Sequence, residues 1–177
     1  VGPMTLMDEM GLDVIYRVVR FMAESMDKRW SEPSRALALL VEAGFLGRKN
    51  SRGFYTYPEA KKGGKKPNRE VYQYVREMKQ GSADTRKIRK RLVLAKVNEA
   101  AGCLEEDVIA SPQDGDVGAV LGLGFPPFLG GPFHYADSLG METLVNHLED
   151  LAQEGYAHYA PTGILKDMAK KGKIFFP

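Results

Sequence analysis

The chain has 177 residues, with 25 Lys plus Arg against 23 Asp plus Glu and 44% hydrophobic residues, which suits one ordinary domain or two small ones with a real core. That size excludes a disulfide-held peptide scaffold, and no apolar run approaches the roughly 18 to 20 residues that a spanning helix needs. A formal charge of +2 gives no broad field to hold a polyanion, so nucleic acid is not an expected partner. The single cysteine, Cys103, cannot close an internal disulfide and reads as a packed thiol in a reducing compartment.

Val1-Gly2-Pro3 opens the chain without an initiator Met or a secretory signal, and the sequence reads as a piece cut from a longer polypeptide. From Asp13 to Asp27, Ile15, Val18, Val19 and Met22 recur at i, i+3, i+4 and i+7, which predicts a helix with one buried stripe. Pro33 suits the first turn of a second helix, where Leu37, Leu40 and Val41 form a stripe closed by Gly44. Gly47 and Gly53 bracket a tight reversal, after which Phe54-Tyr55-Thr56-Tyr57 predicts a short extended segment stopped by Pro58. Residues 59–69, with four lysines among Lys61 to Lys66, are glycine-rich and without period; they read as a surface loop whose charges are solvated, with a phosphate site as the alternative. Val71, Val75 and Met78 give a third stripe, and a second domain is expected from about Gly81-Ser82.

Arg86 to Glu106 carries the longest helical pattern, with Ile88, Leu92, Ala95, Ala101 and Leu104 on a drifting apolar face. Five basic residues between Arg86 and Arg91 oppose the macrodipole at its start and read as a hydrated outer face. Asp114 to Leu121 predicts a short helix ended by Gly122-Leu123-Gly124-Phe125-Pro126-Pro127. This run is not a dinucleotide loop, because the third glycine of G-x-G-x-x-G would fall on Pro127, which has no amide to give a pyrophosphate.

The two halves repeat one another. A shift of 129 positions aligns Gly2-Pro3 with Gly131-Pro132, Asp8 with Asp137 and Gly11 with Gly140; a shift of 128 aligns Pro33, Ser34, Leu37, Leu40 and Gly44 with Pro161, Thr162, Leu165, Met168 and Gly172. An aromatic run follows in both. The expected fold class is therefore all-α: two related helical repeats, residues 1–80 with their linker and residues 81–177, the first truncated at its N-terminus.

Gly44 to Tyr55, Val97-Asn98-Glu99-Ala100, and Asp114 to Pro132 resemble the paired C-terminal domains of 3-hydroxyacyl-CoA dehydrogenases, in the two-copy form of the multifunctional alpha subunit of fatty-acid beta-oxidation. The resemblance implies a parent that oxidises L-3-hydroxyacyl-CoA with NAD and hydrates enoyl-CoA. It also implies an acyl-CoA substrate, partner Rossmann and hydratase modules upstream, a thiolase beta subunit and a homodimer contact, in the bacterial cytoplasm or, in a eukaryote, the mitochondrial matrix. The fragment itself is expected to be inactive and to bind no NAD and no metal.

No catalytic residue is expected here. His134 follows Gly-Pro-Phe at a helix start, His147 lies on the polar side of a stripe, and His158 sits between tyrosines in a loop; none advertises a partner for general-base work. In the family the helical domains build the floor of the acyl-CoA cleft. On that basis Leu121, Leu123, Phe125 and Phe128 are the expected substrate-binding residues, with simple packing between repeats as the plainer account. Some members carry an aromatic residue where this chain has Leu121. The rival function is a non-catalytic helical scaffold that docks a thiolase partner or a membrane surface.

Overall fold

A computed structural model describes residues 2–25, 34–58, 64–74 and 84–177. The architecture is all-α apart from one small ribbon, and it divides into two compact units, Val1–Gly81 and Ser82–Pro177.

In the first unit, helix α1 (Pro3–Met10) starts on a proline at its first position, and Gly11 at φ +95° turns the chain into α2 (Leu12–Ser25). Of the predicted stripe, Ile15 packs on the core while Val18 remains 48% exposed; the residue that is fully enclosed is Leu12. Helix α3 (Arg35–Glu42) is capped by the Ser34 hydroxyl, which accepts from the Leu37 amide at 3.3 Å. Pro33 and the Val75–Met78 half of the third stripe lie outside the described residues. After a 3-10 turn at Arg48–Asn50, β1 (Tyr55–Thr56) pairs antiparallel with β2 (Lys66–Pro67). The region expected as a featureless loop thus supplies a strand, and α4 (Val71–Tyr74) follows it. Leu12, Leu37, Leu40, Phe45 and Val71 form the core, and the Phe45 ring meets Tyr74 edge-on at 5.2 Å and the Arg52 guanidinium at 4.1 Å.

The second unit is built on α5 (Thr85–Glu105). Asp84 caps it by accepting from the amides of Arg86 and Lys87, and Lys87 pairs with Glu154, so its basic first turn is partly offset. The buried face carries Leu94, Val97, Asn98 and Ala101, whereas Ile88 and Leu92 are 46% and 58% exposed. The apolar residues predicted as one stripe therefore lie on two faces, because exposed Leu92 and buried Ala101 stand about 180° apart around a helix, and Leu94, outside the predicted stripe, is fully enclosed. Helix α6 (Pro112–Leu123) is capped by Ser111, one turn before the expected Asp114. Helices α7 (Pro132–Leu139), α8 (Met141–Gln153) and α9 (Gly163–Lys171) complete the unit. Leu144, Leu148, Leu151 and Leu165 interlock with α5 in one core.

Equivalent residues of the sequence repeat do equivalent work. Asp8 of α1 accepts from the amides of Phe54 and Tyr55, both at 2.9 Å, and Asp137 of α7 accepts from those of Phe175 and Phe176 at the same distance. In each case a carboxylate near the end of the Gly-Pro helix ties down the aromatic run that follows the last helix of its repeat. Asp8 also takes the Tyr57 hydroxyl at 2.9 Å.

Candidate functional site

The turn singled out by the sequence begins where α6 ends. Gly124 adopts the left-handed conformation at φ +64°, which a side chain resists, and the Phe125 amide returns to the Ala119 carbonyl at 3.0 Å. A 3-10 turn over Pro127–Leu129 and two further positive-φ glycines, Gly130 and Gly131, lead into α7.

The four expected binding residues do not converge on one surface. Leu121, Leu123 and Phe128 are 82%, 72% and 87% exposed, while Phe125 is wholly buried with the Lys96 ammonium 5.9 Å from its ring centre. Leu121 and Leu123 are two residues apart on one helix and so diverge by about 200°. Leu123 faces α5, and Leu121 stands on the opposite ridge one turn after Val117, itself 53% exposed. A leucine or phenylalanine left at such exposure forgoes about 1.5 to 3 kcal/mol of burial, so Leu121 and Phe128 are the residues most at odds with free solvent.

Between α5 and α6 lies an apolar groove of about 280 Å³. Ala100 and Cys103 form one wall, Gly118, Ala119 and Leu123 the other, and Lys96, Glu99 and Asp114 stand along it. Asp114 is engaged by the Ser111 hydroxyl at 2.6 Å. A larger hollow of about 440 Å³ beside α9 is lined by Glu105, Asp167, Lys171 and Lys173, of which Asp167 and Lys171 pair with each other at 3.6 Å.

One polar pair was missed by sequence reasoning. The buried Asp116 carboxylate accepts from the amides of Phe133 and His134 at 2.7 and 3.2 Å and meets His134 Nδ1 at 2.5 Å, and the imidazole stacks on Phe176 at 3.9 Å. His134 thus does have a carboxylate partner. The carboxylate's amide bonds make it the cap that α7 lacks from Gly131, and Gly131 leaves it room: a Cβ there would sit 2.4 Å from Asp116 Cγ. Asn98 is likewise a tertiary clamp. Its amide donates to the carbonyls of His158 and Ala160 and its oxygen accepts from the Thr162 amide. Burial, and secondarily the Arg91 charge, hold His158 below the usual imidazole range. Burial does the same to His147, aided by Lys90.

The Gly122–Pro127 run is not shaped to hold a nicotinamide dinucleotide. Gly122 to Pro127 closes a helix where a dinucleotide loop would run from a strand into one, and among the described residues the sheet is a two-stranded ribbon in the first unit. Among those residues there is also no group of three metal-ligating side chains, and no helix is long and apolar enough to cross a membrane.

Comparison with known proteins agrees with this architecture. The family model described as 3-hydroxyacyl-CoA dehydrogenase, C-terminal domain, matches residues 1–57 and 88–175. The fatty acid oxidation complex subunit alpha of Idiomarina loihiensis is 43% identical over 176 residues, and that of Shewanella amazonensis equally so; each alignment takes in 99% of this chain and 25% of the relative. The chain thus spans about a quarter of the length of these curated relatives. Among solved structures, 3-hydroxybutyryl-CoA dehydrogenase from Escherichia coli K12 is similar at a TM-score of 0.65 and 22% identity, over 96% of this chain and 51% of that one. The dehydrogenase part of multifunctional enzyme 1 from C. elegans is similar at 0.67 and 24%, over 94% and 38%. At these identities the structural likeness speaks to the fold alone.

Proposed function

Because the chain belongs to the family of 3-hydroxyacyl-CoA dehydrogenase C-terminal domains, we propose that it is the C-terminal helical part of a fatty-acid oxidation complex alpha subunit. The observation that carries this reading is 43% identity sustained over 176 residues to alpha subunits of that complex. The parent oxidises L-3-hydroxyacyl-CoA with NAD and hydrates enoyl-CoA, with both reacting centres in modules other than this one. The dinucleotide belongs to the Rossmann module, and this chain alone turns over no substrate.

Its contribution is an apolar wall. Leu121 and Phe128 project from a turn whose backbone is set by Gly124 and anchored by buried Phe125, and a wall of this kind keeps water from a long acyl chain. The Rossmann and hydratase modules of the same polypeptide are its immediate partners. A thiolase beta subunit and a second copy of the parent are the further ones.

The test is the Leu121→Asp variant in the full-length parent, assayed with four-carbon and sixteen-carbon 3-hydroxyacyl-CoA. A carboxylate pressed against an acyl chain costs on the order of a few kcal/mol, so KM for the long substrate rises with a smaller effect on kcat, and the short substrate is spared. Equal losses for both chain lengths at unchanged thermal stability would mean that the turn acts through domain geometry or as a docking face, and the wall would be withdrawn.

A further inference from the structure

The α5–α6 groove has features that packing within its own unit does not explain. Glycine in a helix interior costs roughly 1 kcal/mol relative to alanine. Gly115 has a reason to be glycine, since a Cβ there would meet the Phe133 ring at 2.5 Å and Ile109 at 2.7 Å. Gly118 has none: a Cβ would find nothing within 4 Å, and its φ is not among the positive ones. What the missing side chain leaves is the open floor of the groove, opposite Ala100 and Cys103.

The second feature is charge. Lys96 stands at the groove, and Arg89, seven residues earlier, lies on the same face of α5 about 10 Å along the axis, with exposed Leu92 between them and Ile88 beyond. Arg86, Arg89, Lys90 and Lys96 make no ion pair among the described residues. An apolar trough therefore continues into a row of cations that make no ion pair among the described residues and are spread over more than one turn. Glu99 lies within the groove beyond Lys96, so an anionic head is favoured on the Arg89 side and a neutral tail on the Cys103 side.

We propose that the α5–α6 groove is an acyl-CoA site carried by this chain alone, with the acyl tail lying over Gly118, Ala119 and Ala100 and the phosphates of the carrier along Lys96 and Arg89. A free fatty acid presents one carboxylate, which Lys96 by itself satisfies. The 10 Å row of cations calls for an extended polyanionic head. The proposal rests on the acyl-CoA reading above and adds a second, non-catalytic place for that ligand. It would hold a long-chain intermediate near the modules that process it.

The test is calorimetric titration of the 177-residue chain with palmitoyl-CoA below its micellar concentration, beside butyryl-CoA, palmitate and phosphatidylglycerol vesicles. Saturable one-to-one binding of palmitoyl-CoA is expected, weaker by about tenfold or more for butyryl-CoA and for palmitate, since each lacks one half of the recognition. Gly118→Leu fills the groove where the structure leaves space, so it keeps or raises the melting temperature while binding falls at least tenfold. Lys96→Glu weakens binding and its salt dependence, Glu99→Gln strengthens it, and Lys166→Glu on α9, with the same charge change, does neither. The proposal is overturned by the absence of saturable binding, by undiminished binding in folded Gly118→Leu, by palmitate binding as well as palmitoyl-CoA, or by vesicles competing with it. A chain-length effect of Leu121→Asp in the parent without binding here would remove this site and leave the cleft wall standing. Binding here without that effect would do the reverse.

Discussion

Replacing Asp8 by asparagine should unfold the first unit without touching the second. The Asp8 side chain is completely buried, and its two oxygens serve three donors: the Phe54 amide on Oδ1, and the Tyr55 amide with the Tyr57 hydroxyl on Oδ2, each at 2.9 Å. An asparagine has one acceptor oxygen. Turned toward Tyr55 and Tyr57, it aims its own N–H groups at the Phe54 amide, leaving a buried donor unpaired and replacing two charge-assisted bonds with neutral ones. An orphaned buried donor costs about 1 to 3 kcal/mol and a bond to a charged acceptor contributes about 1.5 to 3, so the net loss is about 3 kcal/mol. For a unit of this size that corresponds to a fall in Tm of roughly 12 to 24 °C. Tyr57→Phe removes one of the three donors and leaves both amides served, so it costs about 1 kcal/mol. Hydrogen exchange resolved by peptide is the assay: Asp8→Asn should collapse protection in α1, α3 and the Phe54–Tyr57 segment while α8 keeps its rates. Burial, and secondarily the bond to Asp8, hold the Tyr57 phenol above its usual pKa of 10.0. The folded state thus keeps a proton that the unfolded chain releases. Stability from this group is complete at neutral pH and declines as pH rises past about 10, a decline that Tyr57→Phe abolishes. Wild-type protection in Asp8→Asn would refute the reasoning, because the carboxylate would then be shown not to carry the reversal at Gly47–Gly53.

In the second unit, Asp137→Asn should release only the tail, because Asp137 holds the Phe175 and Phe176 amides and is not itself enclosed; faster exchange confined to residues 173–177 is the expected result. Gly131→Ala should cost about 3 kcal/mol or more, since the position combines φ +118° with a Cβ 2.4 Å from Asp116, whereas Gly118→Ala gains about 1 kcal/mol; equal melting temperatures for the two would contradict the groove geometry. His147→Leu should raise stability by about 1 kcal/mol at neutral pH, because Nδ1 is buried and has no hydrogen-bond partner among the described residues. Burial and Lys90 hold the folded imidazole below its usual value of 6.5, so the wild type loses stability as pH falls through that value toward the depressed one; thermal melts between pH 7.5 and 5.5 should show a shallower slope for His147→Leu.

Much of the architecture was legible from local pattern. Pro132 opens a helix, and Gly44 and Gly124 mark helix ends with positive φ, where the sequence expected them, because these residues act through their own backbone and need no distant neighbour; the helix that starts at Pro3 was not among the expected elements, and α6 opens at Pro112 and not at Asp114. The repeat was legible for a similar reason, since Asp8 and Asp137 recur at one spacing from Gly-Pro whatever they bind. What a helix face buries was not legible. Ile88, Leu92 and Leu94 are equally apolar as text, and only the seating of α8 and α9 against α5 decides that Leu94 is enclosed while the other two face water. Likewise the GLGFPP run announced a turn and an apolar cluster, but four side chains on a helix end and a turn point where the backbone sends them. Tertiary packing put Phe125 inside and left Leu121, Leu123 and Phe128 largely exposed, Leu123 at the rim of the α5–α6 groove. Asp116, read as part of a helix start, became the buried cap of α7 and the partner of His134, across 17 and 18 residues. A hydrogen bond between segments depends on where each segment is carried, and no period or propensity in either one encodes that.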